Sequence, residues 1–201
     1  MSYCSQSLCR GRTVAVSTTM WRSRLTLPVS PARDHIRNGL NAPLTLLEYG
    51  DYECPFCAAA HQVVKTIEAQ AGGALRFVFR HFPMTAVHPH AELAAETAEA
   101  AAAQGRFWEM HDMLYSNQQE LEGPDLLAYA RAIGLDVTRF SSEVAAHVHL
   151  PKVSEDFMSG VRSGVNGTPT FYINGIRHDG GWDYSSLAVA LQQAMLAAQT
   201  S

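Results

Sequence analysis

The chain has 201 residues, of which 47% are hydrophobic and 17% charged, and its formal net charge is −4. This length and composition predict a globular protein of one or two domains with a sizeable core. The slight negative charge gives no reason to expect a nucleic-acid partner. No stretch approaches the roughly 18 consecutive apolar residues that a membrane-spanning helix needs.

Residues 1–33 are rich in Ser, Thr and Arg without a sustained hydrophobic period, which predicts a disordered N-terminal tail. A secretory signal needs a continuous apolar segment of roughly 7–15 residues, whereas the apolar run 14–16 is interrupted at once by polar residues. We therefore expect a cytoplasmic protein; the alternative is export through an atypical signal. Cys4 and Cys9 have no neighbouring ligand that would complete a zinc site, so we interpret them as inert thiols.

A strand followed by a helix surrounds the other two cysteines. The apolar run 44–47 predicts a short buried strand. Cys54 and Cys57 follow, and a helical pattern then runs to a pair of glycines. Pro55 is favourable at the first helical position, where its missing N–H would have had no partner. The pattern therefore predicts Cys54 at the helix N-terminus and Cys57 one turn inside the helix.

This placement has a chemical consequence. Unpaired N–H groups and the positive end of the helix dipole stabilise a thiolate, so Cys54 should ionise at a lower pH than a free thiol. Cys57 lies three residues on, on the same face, and can close a disulfide with it. An attacking cysteine and a neighbour that resolves the mixed disulfide are what thiol–disulfide exchange requires.

The alternatives for this cysteine pair are a buried pair and half of a zinc site. Two further ligands would be needed, and His61 lies seven residues past Cys54, where it points elsewhere on the helix. His81, His88 and His90 lack an acidic partner in sequence that would complete a metal site, so we interpret them as loop and cap residues. The sequence therefore predicts no metal site.

The remaining elements are predicted from hydrophobic periodicity and turn residues. They are an edge strand over 25–29, a strand over 75–82, a helical block over 87–150, a helix over 151–162, a hairpin of strands over 170–173 and 176–177, and a closing helix over 182–198.

Four segments together resemble the DsbA-like branch of the thioredoxin superfamily. They read ECPFC, FRHFPMTAVHPHAELAA, AAAQGRFWEMHDMLY and VNGTPTFYING, and in order they cover roughly residues 34–197. The chain is most similar to the thioredoxin-like domain fused behind some NhaA-type sodium/proton antiporters. The resemblance implies an α/β thioredoxin fold, with a central mixed sheet flanked by helices and an inserted all-helical subdomain. One domain would then cover 34–201, with its thioredoxin part at about 34–86 and 163–201 and the insertion at about 87–162.

The resemblance also implies a catalytic role for Glu48, six residues before Cys54. Relatives carry an acid at this offset, beneath the second cysteine. A buried carboxyl there would have a raised pKa and could accept the proton of Cys57 as that cysteine attacks the mixed disulfide. The alternative is a solvent-facing acid at a strand end.

Thr168 and Pro169 match the cis-proline loop of the family, which faces the two cysteines and binds an extended substrate. An ordinary trans turn is the alternative. With this loop, Pro55, Phe56 and Val165 complete the predicted substrate-binding residues. Phe56 stands where DsbA has a histidine, which predicts a reduction potential between those of thioredoxin and DsbA.

The predicted function is that of a thiol–disulfide oxidoreductase acting on protein disulfides and dithiols through Cys54 and Cys57, without a bound cofactor. Its expected partners are protein or peptide thiols and disulfides, and an unidentified recycling reductant or oxidant. The alternative is a redox-responsive binding or regulatory module without broad turnover. A glutathione-using isomerase of the same fold is disfavoured by the intact pair of cysteines.

Overall fold

Five strands form one sheet in residues 23–199, the part of the chain that the computed structural model describes. In chain order they are β1 (His35–Arg37), β2 (Leu44–Gly50), β3 (Leu75–His81), β4 (Thr170–Ile173) and β5 (Ile176–His178). Across the sheet the order is β1-β3-β2-β4-β5. Strand β2 is parallel to β3 and every other neighbouring pair is antiparallel, so the sheet is mixed, as predicted.

Seven α-helices flank this sheet in the same part of the chain. They are α1 (Pro55–Ala71), α2 (Ala91–Ala102), α3 (Phe107–Ser116), α4 (Gly123–Ala132), α5 (Val137–Ala145), α6 (Leu150–Ser163) and α7 (Tyr184–Gln199). Helices α2 to α6 all lie between β3 and β4, which confirms the inserted helical subdomain of the predicted fold class. Within residues 23–199, no helix combines the length and apolar character needed to cross a membrane.

The central strands β2 and β3 separate two hydrophobic cores. Leu46 pairs with Phe77 and faces the larger core, which includes side chains of α1 and α7. Leu47 pairs with Val78 and faces a smaller core against α6. Since successive side chains of a strand point to opposite faces, Glu48 shares the face of Leu46 and lies on the side of α1.

The segment 23–33 belongs to the ordered body, although the sequence assigns it to the tail. Leu25 and Val29 pack against the smaller core, and the Leu25 N–H donates to the Gly175 carbonyl at 2.9 Å. Burial of these apolar side chains offsets the polar composition that suggests a tail. The rest of the predicted tail, residues 1–22, lies outside the described residues.

Three strand predictions differ from the structure. The edge strand expected over 25–29 is a single bridge between Arg24 and Ile176. Strand β2 continues to Gly50, beyond the apolar run that predicted it. Strand β1 was missed because its three residues are too few to show the alternation of a strand, and pairing with β3 alone defines it.

A buried ion pair ties the N-terminal segment to β3. Arg80 is fully buried and donates to both carboxylate oxygens of Asp34, at 2.9 and 3.1 Å. It also donates to the hydroxyl of Tyr49 and to the carbonyls of Leu27 and Pro28. Burial opposes ionisation of Asp34, but the hydrogen bonds and charge of Arg80 hold the pKa of Asp34 below its usual value. The satisfied guanidinium explains how a charge is tolerated in the core.

Helix α6 approaches the sheet so closely that only glycine fits at position 160. A Cβ there would lie 2.7 Å from Phe82 and 3.1 Å from Tyr49. We expect Gly160→Ala to destabilise the protein by roughly 1–3 kcal/mol through overpacking, despite the higher helix propensity of alanine. Gly123→Ala in α4 is the matched control, since nothing lies within 4 Å of its added Cβ. Urea denaturation measures both, and a Gly160→Ala protein at least as stable as the wild type would contradict this packing.

Candidate active site

Cys54 caps the N-terminus of α1. The backbone of Cys54 is extended, and Pro55 occupies the first turn of the helix. The Cys54 carbonyl accepts the N–H groups of Cys57 and Ala58 at 3.0 and 3.2 Å. Cys57 lies in the first turn and is fully buried in the larger core. Cys54 is itself only 3% exposed. The two cysteines therefore differ in position more than in burial, with Cys54 at the helix end and Cys57 one turn behind it.

The loop before β4 faces Cys54 across the site. The peptide bond between Thr168 and Pro169 is cis, and the Thr168 carbonyl oxygen lies 3.4 Å from the Cys54 sulfur, where it accepts a hydrogen bond when Cys54 is protonated. Strand β2 leads into the cysteines and β4 leads out of the loop, and these two strands are neighbours in the sheet. The sheet thus places residues 114 positions apart in direct contact.

The surroundings of the two sulfurs shift their pKa values in opposite directions. A hydrogen bond from the Cys57 thiol, against the effect of burial, lowers the pKa of Cys54 from 9.0 to about 5. The Thr168 side chain and the backbone N–H groups of Phe56 and Cys57 add to this effect. Burial, and then the hydrogen bond to Cys54 and the charge of Glu48, raise the pKa of Cys57 well above its usual value. At neutral pH the pair is therefore one thiolate and one thiol.

Glu48 is buried in the sheet, with only 1% of its surface exposed. It pairs in register with Phe79 of β3 and Phe171 of β4, and its Oε1 has no hydrogen-bond partner among the described residues. Burial, followed by the charge of Cys54, raises the pKa of Glu48 to about 8. The alternative of a solvent-facing acid is therefore excluded.

Asp51 organises the loops around Cys54, a role that the sequence analysis missed. Its buried carboxylate accepts the N–H groups of Glu53 and Met84, each at 2.8 Å, and contacts Nδ1 of His88 at 2.8 Å. Burial opposes protonation of His88, but Asp51 and the charge of Cys54 raise the pKa of this imidazole. The sequence does carry a signal for this role. Asp51 stands two residues before Glu53 in a turn, and an Asp side chain at that spacing commonly accepts the backbone N–H of an Asx-turn.

Hydrogen bonds from His90 and Gln118 attach the helical insertion to this site. Glu53 accepts the N–H of His90 at 2.7 Å, and Gln118 donates to the carbonyls of Tyr52 and Cys54 at 2.7 and 2.9 Å. Glu53, His90 and Gln118 also line a polar cavity of about 420 Å³, together with Pro55. Gln118 follows α3, 64 residues from Cys54, and no sequence signal indicated it.

The predicted substrate-binding residues differ in accessibility. Phe56 is 60% exposed and its ring centroid lies 6.4 Å from that of Trp182. Thr168 and Pro169 are half-buried. Val165 is only 6% exposed and packs in the smaller core. The Val165 side chain therefore packs in the core. The other four predicted substrate-binding residues form the surface that a substrate can reach.

The opposite pKa shifts predict how the thiols react with iodoacetamide. In a Cys4→Ser/Cys9→Ser background, the alkylation rate of Cys54 should rise through a midpoint near pH 5, since the thiolate is the reactive form. Cys57→Ala should raise this midpoint, because it removes the hydrogen bond that is the largest cause of the shift. Cys57→Ser is the matched control, since it keeps a hydroxyl donor. A midpoint near the pKa of a free thiol, about 8.5, would contradict the assignment of Cys54 as a thiolate at neutral pH.

The raised pKa of Glu48 predicts a pH dependence of stability. In the unfolded chain the carboxyl titrates near 4.5, and in the folded protein near 8. The contribution of Glu48 to folding stability is fully present below pH 4.5. It is lost as the pH rises towards 8, because in this range the carboxyl ionises in the unfolded chain but stays protonated in the folded protein. Glu48→Gln should therefore gain stability relative to the reduced wild type across this window. Exposed Glu120→Gln is the control, and a constant difference between Glu48→Gln and wild type from pH 4.5 to 8 would refute the burial effect.

Known proteins share both sequence and fold with this chain. The chain is 44% identical over 175 residues to the Na(+)/H(+) antiporter NhaA 3 of Salinispora tropica and 46% identical over 170 residues to the Na(+)/H(+) antiporter NhaA 1 of Mycobacterium sp. strain KMS. These matches cover 87% and 84% of the chain, but it spans only 27% and 28% of the length of these relatives.

Among solved structures, oxidised BdbD from Bacillus subtilis superimposes with a TM-score of 0.77 at 19% identity, covering 87% of this chain and 97% of BdbD. A thioredoxin-like oxidoreductase from Silicibacter pomeroyi DSS-3 gives a TM-score of 0.70 at 26% identity, covering 86% of this chain and 95% of that one. A family profile described as thioredoxin matches residues 33–193. The chain belongs to the thioredoxin family.

Proposed function

We propose that this protein is a thiol–disulfide oxidoreductase that acts on protein or peptide substrates through Cys54 and Cys57. The observation that carries the proposal is the asymmetry of the pair: Cys54 caps the helix N-terminus and its sulfur faces the Thr168 carbonyl at 3.4 Å, whereas Cys57 is fully buried one turn behind it. This asymmetry is what distinguishes an attacking cysteine from a resolving one.

In the reductive direction, the Cys54 thiolate attacks one sulfur of a substrate disulfide. The bond between the substrate sulfurs breaks, a mixed disulfide with Cys54 forms, and the other substrate sulfur leaves and takes a proton from water. Cys57 then attacks the Cys54 sulfur, the second substrate sulfur leaves, and the pair ends as a disulfide. Two electrons have passed to the substrate, and an external dithiol must return them.

The second step requires Cys57 to lose its proton, and Glu48 is the buried group that can accept it. The charge of Cys54 raises the pKa values of both Glu48 and Cys57. In the mixed disulfide that charge is gone, so both pKa values fall. Glu48 then ionises more readily and Cys57 is easier to deprotonate, at the stage where Cys57 must attack the mixed disulfide.

The substrate would lie along the half-buried Thr168–Pro169 loop, with its disulfide against Cys54. Exposed Phe56 and Pro55 border the sulfur on the side of α1. These apolar surfaces suit an extended peptide segment, whose backbone can align beside the loop that precedes β4.

A second candidate function is that of a redox-responsive module that changes the state of one partner. It is favoured by the names of the relatives, which are Na(+)/H(+) antiporters about four times as long as the matched region. In this case the cysteine pair would undergo the same chemistry, but with one protein instead of many.

Catalysed reduction of a model peptide disulfide by dithiothreitol tests the proposed function. The wild type should accelerate the reaction and Cys54→Ser should abolish the acceleration. Cys57→Ser should accumulate a mixed disulfide with the peptide, which mass spectrometry detects. Absence of both acceleration and mixed disulfide would contradict the oxidoreductase, and capture of one cellular protein by Cys57→Ser without peptide turnover would favour the module.

The proton-acceptor role predicts a kinetic split in Glu48→Gln. Attack by Cys54 should be nearly unchanged, whereas release from the mixed disulfide should slow by about 10²-fold, the low end of the effect of removing a proton acceptor. Rapid acid quenching of the mixed disulfide with a model peptide times both steps. Glu99→Gln is a control for loss of another buried carboxylate, in α2, and equal release rates in Glu48→Gln and wild type would assign the proton to water.

A further inference from the structure

A group of three potential metal ligands lies between α1 and α3, apart from the cysteine pair. His61 belongs to α1, and His111 and Asp112 belong to α3. One ligand atom from each residue lies within 4.8 Å of the other two. The two histidines are 2% and 0% exposed, whereas the Asp112 side chain is 37% exposed and opens the group to solvent.

Both histidines have a buried ring nitrogen without a hydrogen bond. Neither Nε2 of His61 nor Nε2 of His111 has a partner of acceptable geometry within residues 23–199. Both rings are buried, and burial in the core favours the uncharged form of an imidazole. A neutral imidazole is the form that binds a metal ion.

The other side of the His111 ring is held by Tyr52. Nδ1 of His111 lies 3.0 Å from the Tyr52 hydroxyl. When Nδ1–H donates to this oxygen, Nε2 carries the lone pair, and it is buried without a hydrogen-bond partner among the described residues. Such a second hydrogen bond is the usual support of a metal-binding histidine, since it fixes both the tautomer and the ring orientation.

The spacing between nitrogen and carboxylate oxygen distinguishes this group from a second cluster of similar composition. Atoms bound to one tetrahedral zinc ion at about 2.0–2.1 Å lie roughly 3.3–3.4 Å apart. Nε2 of His61 lies 3.3 Å from Oδ1 of Asp112, which matches this spacing. By contrast, His35 and His81 each contact the same oxygen of Glu99 at 2.8 Å, which is the length of a hydrogen bond.

We propose that Nε2 of His61, Nε2 of His111 and a carboxylate oxygen of Asp112 form a zinc site. Two imidazoles and one carboxylate favour Zn²⁺ over the oxygen-seeking Mg²⁺ and Ca²⁺. Solvent at the exposed side of Asp112 supplies the fourth ligand. This departs from the sequence-based expectation of no metal site, because α1 and α3 contribute ligands 50 residues apart in the chain.

Two cations already contact Asp112 and must be accommodated. Arg37 lies 3.2 Å from Oδ1 and Lys65 lies 3.5 Å from Oδ2. Arg37 retains its two hydrogen bonds to Glu68, at 3.0 and 2.6 Å, when zinc takes the carboxylate. Lys65 is 48% exposed and can turn into solvent. The zinc ion would join the helical insertion to α1, one turn beyond Cys57.

Zinc binding to the full chain with all four cysteines replaced by serine tests this site without thiol ligands. Competition with a chromophoric chelator should give one Zn²⁺ per chain with a dissociation constant in the micromolar range or tighter. Thermal unfolding should shift upward with zinc concentration, since the ion binds only the folded state. The Cys4→Ser/Cys9→Ser protein with Cys54 and Cys57 oxidised to a disulfide should give the same result. Failure of either folded protein to bind zinc overturns the proposal.

Paired variants assign the ligands. Asp112→Asn should weaken zinc binding about tenfold or more, whereas Glu68→Gln, which removes a neighbouring carboxylate, should change it by less than about threefold. Tyr52→Phe should weaken binding about 10–100-fold through the lost support of His111. Tyr115→Phe is its control, since the Tyr115 hydroxyl has no partner among the described residues although its ring also contacts His111. Zinc affinity unchanged by both Asp112→Asn and Tyr52→Phe overturns the assignment.

Discussion

The contact between Cys54 and Thr168 is the constraint on which the site depends. The two residues are 114 positions apart, and the sheet brings them together because β2 leads to one and β4 continues from the other. The helical insertion occupies the chain between them without separating them, since β3 and β4 both pair with β2. The insertion then returns to the site through Gln118, which holds the carbonyls beside Cys54.

The proposed reaction depends on one negative charge in the buried, low-dielectric surroundings of Cys54. Hydrogen bonds stabilise that charge on Cys54, and the same charge disfavours ionisation of Glu48 and Cys57. The three groups therefore share one ionisation between them at neutral pH. When Cys54 loses this charge in the mixed disulfide, Glu48 and Cys57 ionise more easily. The order of the proposed steps therefore follows from the repulsion between these three groups.

The sequence predicted the fold, the helix N-terminus at Cys54 and the loop that faces it because those signals are local. The proline after Cys54, the apolar run before it and the Thr168-Pro169 turn each specify backbone geometry within a few residues. Residues whose roles depend on distant neighbours were missed: Asp51 acts through Met84 and His88, and Gln118 through a loop far along the chain. Val165 was misjudged for a related reason, since only tertiary packing decides whether a residue near the loop faces substrate or core.

The reduction potential of the Cys54–Cys57 pair tests the central claim most directly, because it measures the stability of the thiolate against the disulfide. Equilibration with glutathione buffers of known ratio, followed by trapping of free thiols, gives this value. A thiolate with a pKa of about 5 stabilises the reduced form, and the account predicts a potential between about −270 mV, as in thioredoxin, and about −120 mV, as in DsbA. A potential at or below about −270 mV, or a pair that does not equilibrate with glutathione, would contradict it.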